Sequence, residues 1–260
     1  MSSAQVAPEL KDVGLEEKMG QTLDLGLKFQ DENGQTVTLG DYIKANETPV
    51  IISPVYYSCP GLCNFHLNGL VDGLKGLDWT IGKQFKVLAI SFDPKEKSNL
   101  ALKKKETYMK AYGRPEAASG WHFLTGDEDA IQKFTSAIGF KFKWNEQEKE
   151  WAHTSTAVVV SPAGKITRYL PGIMFDPKDI KLALTEASEG KIGTFVDQLV
   201  LFCFQYNTHK SKYTPAAFNI MKLAGGLTVV LLGLWLLPIW IRSRRAHAKT
   251  GEELKVHDVV

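Results

Sequence analysis

The sequence predicts a mixed α/β domain followed by one C-terminal membrane-spanning helix. Three observations carry that expectation. Apolar, β-branched runs alternate with helix-period stretches from Pro49 to Ile138, the signature of strands joined by helices. A hairpin pattern follows at 155–170, so the sheet has parallel and antiparallel parts. Leu223 to Ile241 is a run of 19 residues without a charge, and at about 1.5 Å per helical residue it nearly spans a ~30 Å hydrocarbon core. The 260 residues are 44% hydrophobic and 23% charged, with a net charge of +2. Such a chain can bury one globular core and carry appendages; it is neither disordered nor built for a polyanion, and no nucleic-acid partner is expected. Three cysteines are too few for a disulfide scaffold.

Residues 1–20 are polar and aperiodic and read as an extended strap. Leu27 to Leu39 alternates apolar and polar around Asn33-Gly34, a hairpin signal. Asp41 to Ala45 is expected to make one helical turn. Pro49 to Val55 is a continuous apolar run suited to a central strand covered on both faces. A helix runs from the cysteine pair to about Leu77. Phe85 to Phe92 is a second buried strand, ended by Asp93-Pro94. Ser98 is expected to cap a helix that reaches Tyr112 and stops at Gly113-Arg114-Pro115. Trp121 to Leu124 reads as a short strand, and a helix from Asp127 ends near Ile138. Lys141 to Glu150 is charged and aromatic without a clean period, an irregular or edge hairpin. Ser155 to Val160 is the third buried strand, and the turn Ser161-Pro162-Ala163-Gly164 pairs it with Lys165 to Leu170. Asp176-Pro177 is an N-cap with proline at N1, launching a helix to about Ser188. With two cysteines at the first strand-to-helix junction, this is the layout of a thioredoxin-like domain with an added hairpin, over 21–190. A linker at 191–217 leads to the span at 218–241.

Arg242, Arg244, Arg245 and Lys249 follow the span. The positive-inside rule places this tail, 242–260, in the cytoplasm and the preceding domain outside, in a periplasm or equivalent space. The expected location is the inner membrane, crossed once. The first ten residues have neither the basic n-region nor the apolar h-region of a signal peptide. Either a signal was removed or the start is placed elsewhere, or the domain is cytoplasmic and tail-anchored; the first is favoured, because a tail-anchored protein would have to translocate the basic tail.

Cys59 and Cys63 stand where the first buried strand hands over to its helix. If both lie in the first turn, the i, i+4 spacing puts their sulfurs on one face, and the helix N-terminus stabilises a thiolate. Two such thiols close a disulfide or hold one soft metal ion. At the carboxyl edge of the sheet three loops converge: Cys59-Cys63, Asp93-Pro94, and His153 ahead of the third strand. Cu(I) accepts two thiolates and an imidazole in low coordination. Zinc ordinarily takes four protein ligands, or three and a water, and a redox-only dithiol is usually C-x-x-C. His66, three residues after Cys63, competes as the nitrogen donor but is expected to pack on the domain or face solvent. His122 reads as a hydrogen-bonded strand residue, Asp93 as either a turn former or a functional acid, and Cys203 as a small buried hydrophobe. Tyr56, Tyr57 and Phe65 are expected to pack around the site.

The motifs Y-Y-S-C-P-G-L-C (Tyr56 to Cys63), S-F-D-P (Ser91 to Pro94), W-H-F-L-T-G (Trp121 to Gly126) and A-H-T-S-T-A-V-V-V-S-P-A-G-K (Ala152 to Lys165) occur in this order. Over roughly 27–188 the chain thereby resembles the SCO/SenC copper chaperones of cytochrome c oxidase assembly. The resemblance implies a thioredoxin-like fold and copper, as Cu(I) with Cu(II) as a second state, bound by Cys59, Cys63 and His153 with Asp93 nearby. It implies delivery to the binuclear copper centre of the oxidase's copper-containing subunit. A thiol–disulfide oxidoreductase that keeps that subunit's cysteines reduced is the alternative, with Cys59 and Cys63 as the redox pair. Two features depart from the family pattern: Asn64 stands where a proline commonly follows the second cysteine, and the anchor is C-terminal rather than N-terminal.

Overall fold

The computed structural model describes residues 13–192 and Leu232. The chain divides into two compact units, 1–199 and 200–260, and the first carries all the strands and helices set out below.

The strap is anchored by backbone pairing. Its short strand β1 (Gly14–Leu15) pairs with Lys141 and Phe140, Glu16 N–H donates to Gly139 O, and Gly20 N–H donates to Ile166 O. Gly139 sits at φ +65°, and a Cβ there would lie 1.8 Å from the Glu16 carbonyl, so only glycine lets the strap lie this close. The Asn33-Gly34 turn joins β2 (Lys28–Gln30) to β3 (Thr36–Thr38) as an antiparallel hairpin. The helical turn after it, α1 (Leu39–Tyr42), begins earlier than the expected Asp41, because Thr38 and Asp41 form a capping box across its start.

The main sheet has the order β10-β9-β4-β5-β6. Strands β4 (Val50–Val55), β5 (Lys86–Ser91) and β6 (Trp121–Leu124) are parallel neighbours. All of β4 is buried, as its unbroken apolar run requires of a strand covered on both faces. On the other side β9 (Thr156–Val160) runs antiparallel to β4 and pairs with β10 (Ile166–Pro171) through the Ser161–Gly164 turn. Helices α2 (Leu62–Lys75), α3 (Ser98–Tyr112) and α5 (Pro177–Ser188) cover the sheet: α2 packs on α3 and α5, α3 on β6, and α5 on β9 and β10. Gly69 permits the α2 contact with the 172–176 segment, since a Cβ there would lie 1.8 Å from the Ile173 carbonyl.

Two of the expected caps form and a third does not. Asp127 accepts the Ala130 N–H ahead of α4 (Glu128–Ala137), and Asp176 accepts the Lys178 N–H ahead of α5. Ser98, however, is the first residue of α3 and not its cap; that place belongs to Lys97, which offers no side-chain bond. A 3-10 turn at Pro115–Ser119, not expected from the sequence, leads into β6. The charged, aromatic stretch forms a regular hairpin of β7 (Phe140–Asn145) and β8 (Glu150–His153), which with β1 makes a separate three-stranded sheet.

Among the described residues no helix is long and apolar enough to cross a membrane. The span expected at 218–241 lies outside them apart from Leu232, which is helical. Residues 1–12, the linker beyond 192, Cys203 and the basic tail are likewise outside.

Candidate metal centre

The loop between β4 and α2 carries Cys59, and Cys63 is the second residue of α2. The cysteines therefore do not share a face of one helix, as the spacing alone implied. Their sulfurs are brought together by a turn that folds Cys59 over the end of α2, where the Cys63 N–H donates to Cys59 Sγ at 3.3 Å. That N–H is one of the first-turn donors a helix leaves unpaired, and it points at the sulfur that gains from it. The Tyr56 N–H donates to Cys63 Sγ at 3.4 Å. Asn64 fastens the turn from the other side: its side-chain amide donates to Cys59 O at 2.7 Å, and Lys104 donates to its Oδ1 at 2.9 Å.

His153 ends β8, paired with Phe142 across the hairpin. Its Nε2 lies 3.4 Å from Cys63 Sγ and its Nδ1 lies 2.7 Å from Thr154 O. A carbonyl only accepts, so Nδ1 carries the proton and Nε2 keeps its lone pair for a ligand. Tyr56, Phe92 and Phe140 surround the ring, with centroids at 5.7, 5.1 and 6.1 Å. The donor atoms of Cys59, Cys63 and His153 all lie within 4.8 Å of one another, a candidate metal-holding group among the described residues.

Both cysteines are buried free thiols. The adjacent Cys63 side chain, with the Cys63 N–H donating to Cys59 Sγ, pulls the Cys59 thiol well below its ordinary range against the opposing effect of burial. Burial, then the adjacent Cys59, push Cys63 the other way. In the reduced pair without metal, these opposite shifts favour a thiolate at Cys59 beside a thiol at Cys63. A soft ion taking up both sulfurs displaces that last proton.

Asp93 is not in the donor group. Its Oδ2 accepts the Trp151 indole N–H at 3.1 Å and its Oδ1 accepts the Lys95 N–H at 2.9 Å, so it acts on β8, two residues before His153. His66 is buried away from the cluster, its nitrogens engaged by Ser53, Ser155 and Gly172. His122 bonds Glu32 and Ser119 O on β6, as a strand residue should. Tyr56 and Tyr57 are buried, but Phe65, expected to pack, is 60% exposed. Sequence reasoning missed Glu96. Its carboxylate accepts N–H groups of Tyr57 and Ser58 immediately before Cys59, and the nearest sequence signal is its place in S-F-D-P-K-E.

A family model described as SCO1/SenC matches residues 17–188. The chain belongs to the SCO1/SenC family. Among solved structures, a candidate electron transfer protein from Aquifex aeolicus VF5 is 26% identical with a TM-score of 0.58, covering 67% of this chain and 96% of its own. BsSco, described as a member of the Sco family of cytochrome c oxidase assembly proteins with a disulfide switch, is 23% identical with a TM-score of 0.50, over 67% and 97% of the two chains. Arabidopsis thaliana ScoI with copper bound is 16% identical, TM-score 0.50, over 66% and 99%. These last two likenesses concern the fold. No curated protein sequence matches the chain. In this SCO1/SenC chain the thioredoxin-like sheet sets both cysteines beside the end of β4, and the β7–β8 hairpin brings the histidine to them.

Proposed function

We propose that the protein is a membrane-tethered copper chaperone that holds Cu(I) at Cys59 Sγ, Cys63 Sγ and His153 Nε2 and passes it by ligand exchange to the binuclear copper centre of cytochrome c oxidase. One observation carries the reading: two sulfurs and an imidazole nitrogen within 4.8 Å of one another. Soft thiolate with imidazole is a donor set suited to copper, and among the described residues the cluster has three protein donors where a structural zinc site ordinarily takes four. The sulfurs come from the rigid β4–α2 junction, while the imidazole comes from a separate hairpin. His153 is thus the ligand able to withdraw first as a client's donors approach. Family membership supports oxidase assembly as the setting. The domain is external to the inner membrane in this reading, with the tail cytoplasmic.

The test is to load wild type, His153→Ala, His66→Ala and Cys59→Ala with copper, then measure retention against a chelator and oxidase assembly in cells. Expected is that His153→Ala loses affinity by at least tenfold and fails in assembly with its thiols still reactive, while His66→Ala holds copper like wild type. The buried acidic Cys59 beside Cys63 favours a second reading, a thiol–disulfide oxidoreductase for the client's cysteines. It takes the lead if His153→Ala retains copper and supports assembly while Cys59→Ala does not.

A further inference from the structure

Behind the cysteine turn lies a buried carboxylate with no part yet in copper holding. Glu96 follows β5 and precedes α3, and it is 6% exposed. Its Oε2 accepts the Tyr57 N–H at 2.7 Å and the Ser91 hydroxyl at 2.6 Å. Its Oε1 accepts the Ser58 N–H at 2.6 Å and the Ser58 hydroxyl at 2.7 Å. Every one of these donors belongs to the last residue of β5 or to the two residues before Cys59. A hydroxyl turns to donate or accept, but a backbone N–H only donates. Each carboxylate oxygen therefore meets one obligatory donor, and only a side chain with two acceptor oxygens satisfies both. Glutamine has one oxygen and one NH2, so it must set an N–H against a backbone N–H on one side. Aspartate falls a methylene short.

We infer that Glu96 is the positioning residue of the dithiol: its carboxylate fixes the Tyr57–Ser58 turn to the end of β5, so that Cys59 Sγ stands against the Cys63 N–H before an ion or an oxidant arrives. The copper part of this inference rests on the chaperone reading; the dithiol part does not. With the clamp removed, ordering Tyr57 to Cys59 becomes a cost of each binding or closure event. Copper is then held less tightly. The disulfide is also favoured less, because the two thiols spend less time in contact.

The experiment uses the full chain as wild type, Glu96→Gln and Glu32→Gln. Glu32 is a second buried carboxylate that accepts a backbone N–H, from Phe123, and it bonds Lys105 and His122 without touching the cysteine turn. Its variant controls for lost stability alone. Two quantities are read: copper retention against a Cu(I) chelator, and the equilibrium of metal-free protein with glutathione. In the latter the two thiols give two electrons and two protons to glutathione disulfide, closing the Cys59–Cys63 bond and releasing two glutathione thiols. Glu96→Gln is expected to lose about tenfold or more in copper affinity. Its disulfide equilibrium should shift about tenfold towards the dithiol, a potential about 30 mV less negative. Glu32→Gln should lose melting temperature but neither property. Should Glu96→Gln fail to fold, Ser91→Ala removes one anchor and is expected to shift both readings in the same direction by a smaller factor. Wild-type readings in the Glu96 variant, or in Ser91→Ala where it must stand in, overturn the inference, as does an equal shift in Glu32→Gln. Wild type that holds no copper overturns the chaperone reading instead, and the glutathione equilibrium still decides Glu96.

Discussion

His66 lies three residues after Cys63 and is held at both nitrogens. Ser155 donates its hydroxyl to Gly172 O at 2.9 Å, which leaves a lone pair for the His66 Nδ1–H, also at 2.9 Å. The Ser53 hydroxyl at 3.1 Å then donates to Nε2. This network suits the neutral ring, and burial lowers the pKa from 6.5 to about 4. The folded value is below the unfolded one, so the unfolded chain binds a proton first as pH falls. The stability this group contributes is complete above pH 6.5 and is lost progressively towards pH 4. From those two values the loss between pH 7.5 and pH 5 is about 2 kcal/mol. Urea denaturation of wild type at the two pH values should show it, and His66→Gln should lack that part of the difference. An unchanged difference in the variant would assign the acid sensitivity to other groups.

At the scale of elements, the β7–β8 hairpin decides where the nitrogen ligand stands. Phe92 lies against Phe140 and Phe142, with centroids at 5.3 and 4.7 Å, and the indole of Trp151 donates to Asp93. The hairpin is thereby tied to the end of β5, so its contribution to the site should respond to a change far smaller than loss of the imidazole. Trp151→Phe keeps an aromatic ring but removes the N–H. It should weaken copper retention severalfold, less than His153→Ala, with alkylation rates of Cys59 and Cys63 unchanged; an effect as large on the thiols would mean that the whole edge had collapsed. The same hairpin marks the limit of what sequence shows. Asn33-Gly34 announced its turn because turn chemistry is local. Phe140, Phe142 and Trp144 do alternate with lysines and asparagine, but the mixture of aromatic and charged residues hid the strand, and its pairing is fixed by contacts with β5 and the strap. The donor residues were legible one by one. The escape of Cys59 from the helix was not, because the turn ahead of it is shaped by bonds from Tyr57 and Ser58 to Glu96, which lies 38 positions beyond Ser58 along the chain.

For the whole molecule, the sheet order explains how residues 90 positions apart become neighbours. Because β9 runs antiparallel to β4, its start lies at the edge where β4 ends, and His153, just ahead of it, meets Cys63 there. In the proposed chaperone reading an ion is taken up and released at this sheet edge, and the use of the site depends on which side of a membrane that edge faces. The uncharged run of 19 residues from Leu223 to Ile241, followed by Arg242, Arg244, Arg245 and Lys249, argues for a single crossing with the tail in the cytoplasm. Each arginine or lysine carried across a bilayer adds several kcal/mol to insertion, so the opposite orientation would have to move this cluster through the membrane. The orientation also sets the chemistry. In an oxidising outer compartment the metal-free pair is expected to be a disulfide, so that copper loading follows its reduction, whereas cytosolic glutathione would keep both thiols free. A fluorescent protein that matures only in the cytoplasm, fused after Val260, should therefore be bright. In the same intact cells a membrane-impermeant maleimide should label Cys59 and Cys63 only after mild reductant. A dark fusion that becomes active when replaced by a periplasm-dependent reporter would reverse the orientation, and thiols labelled without reductant would refute the oxidised resting state.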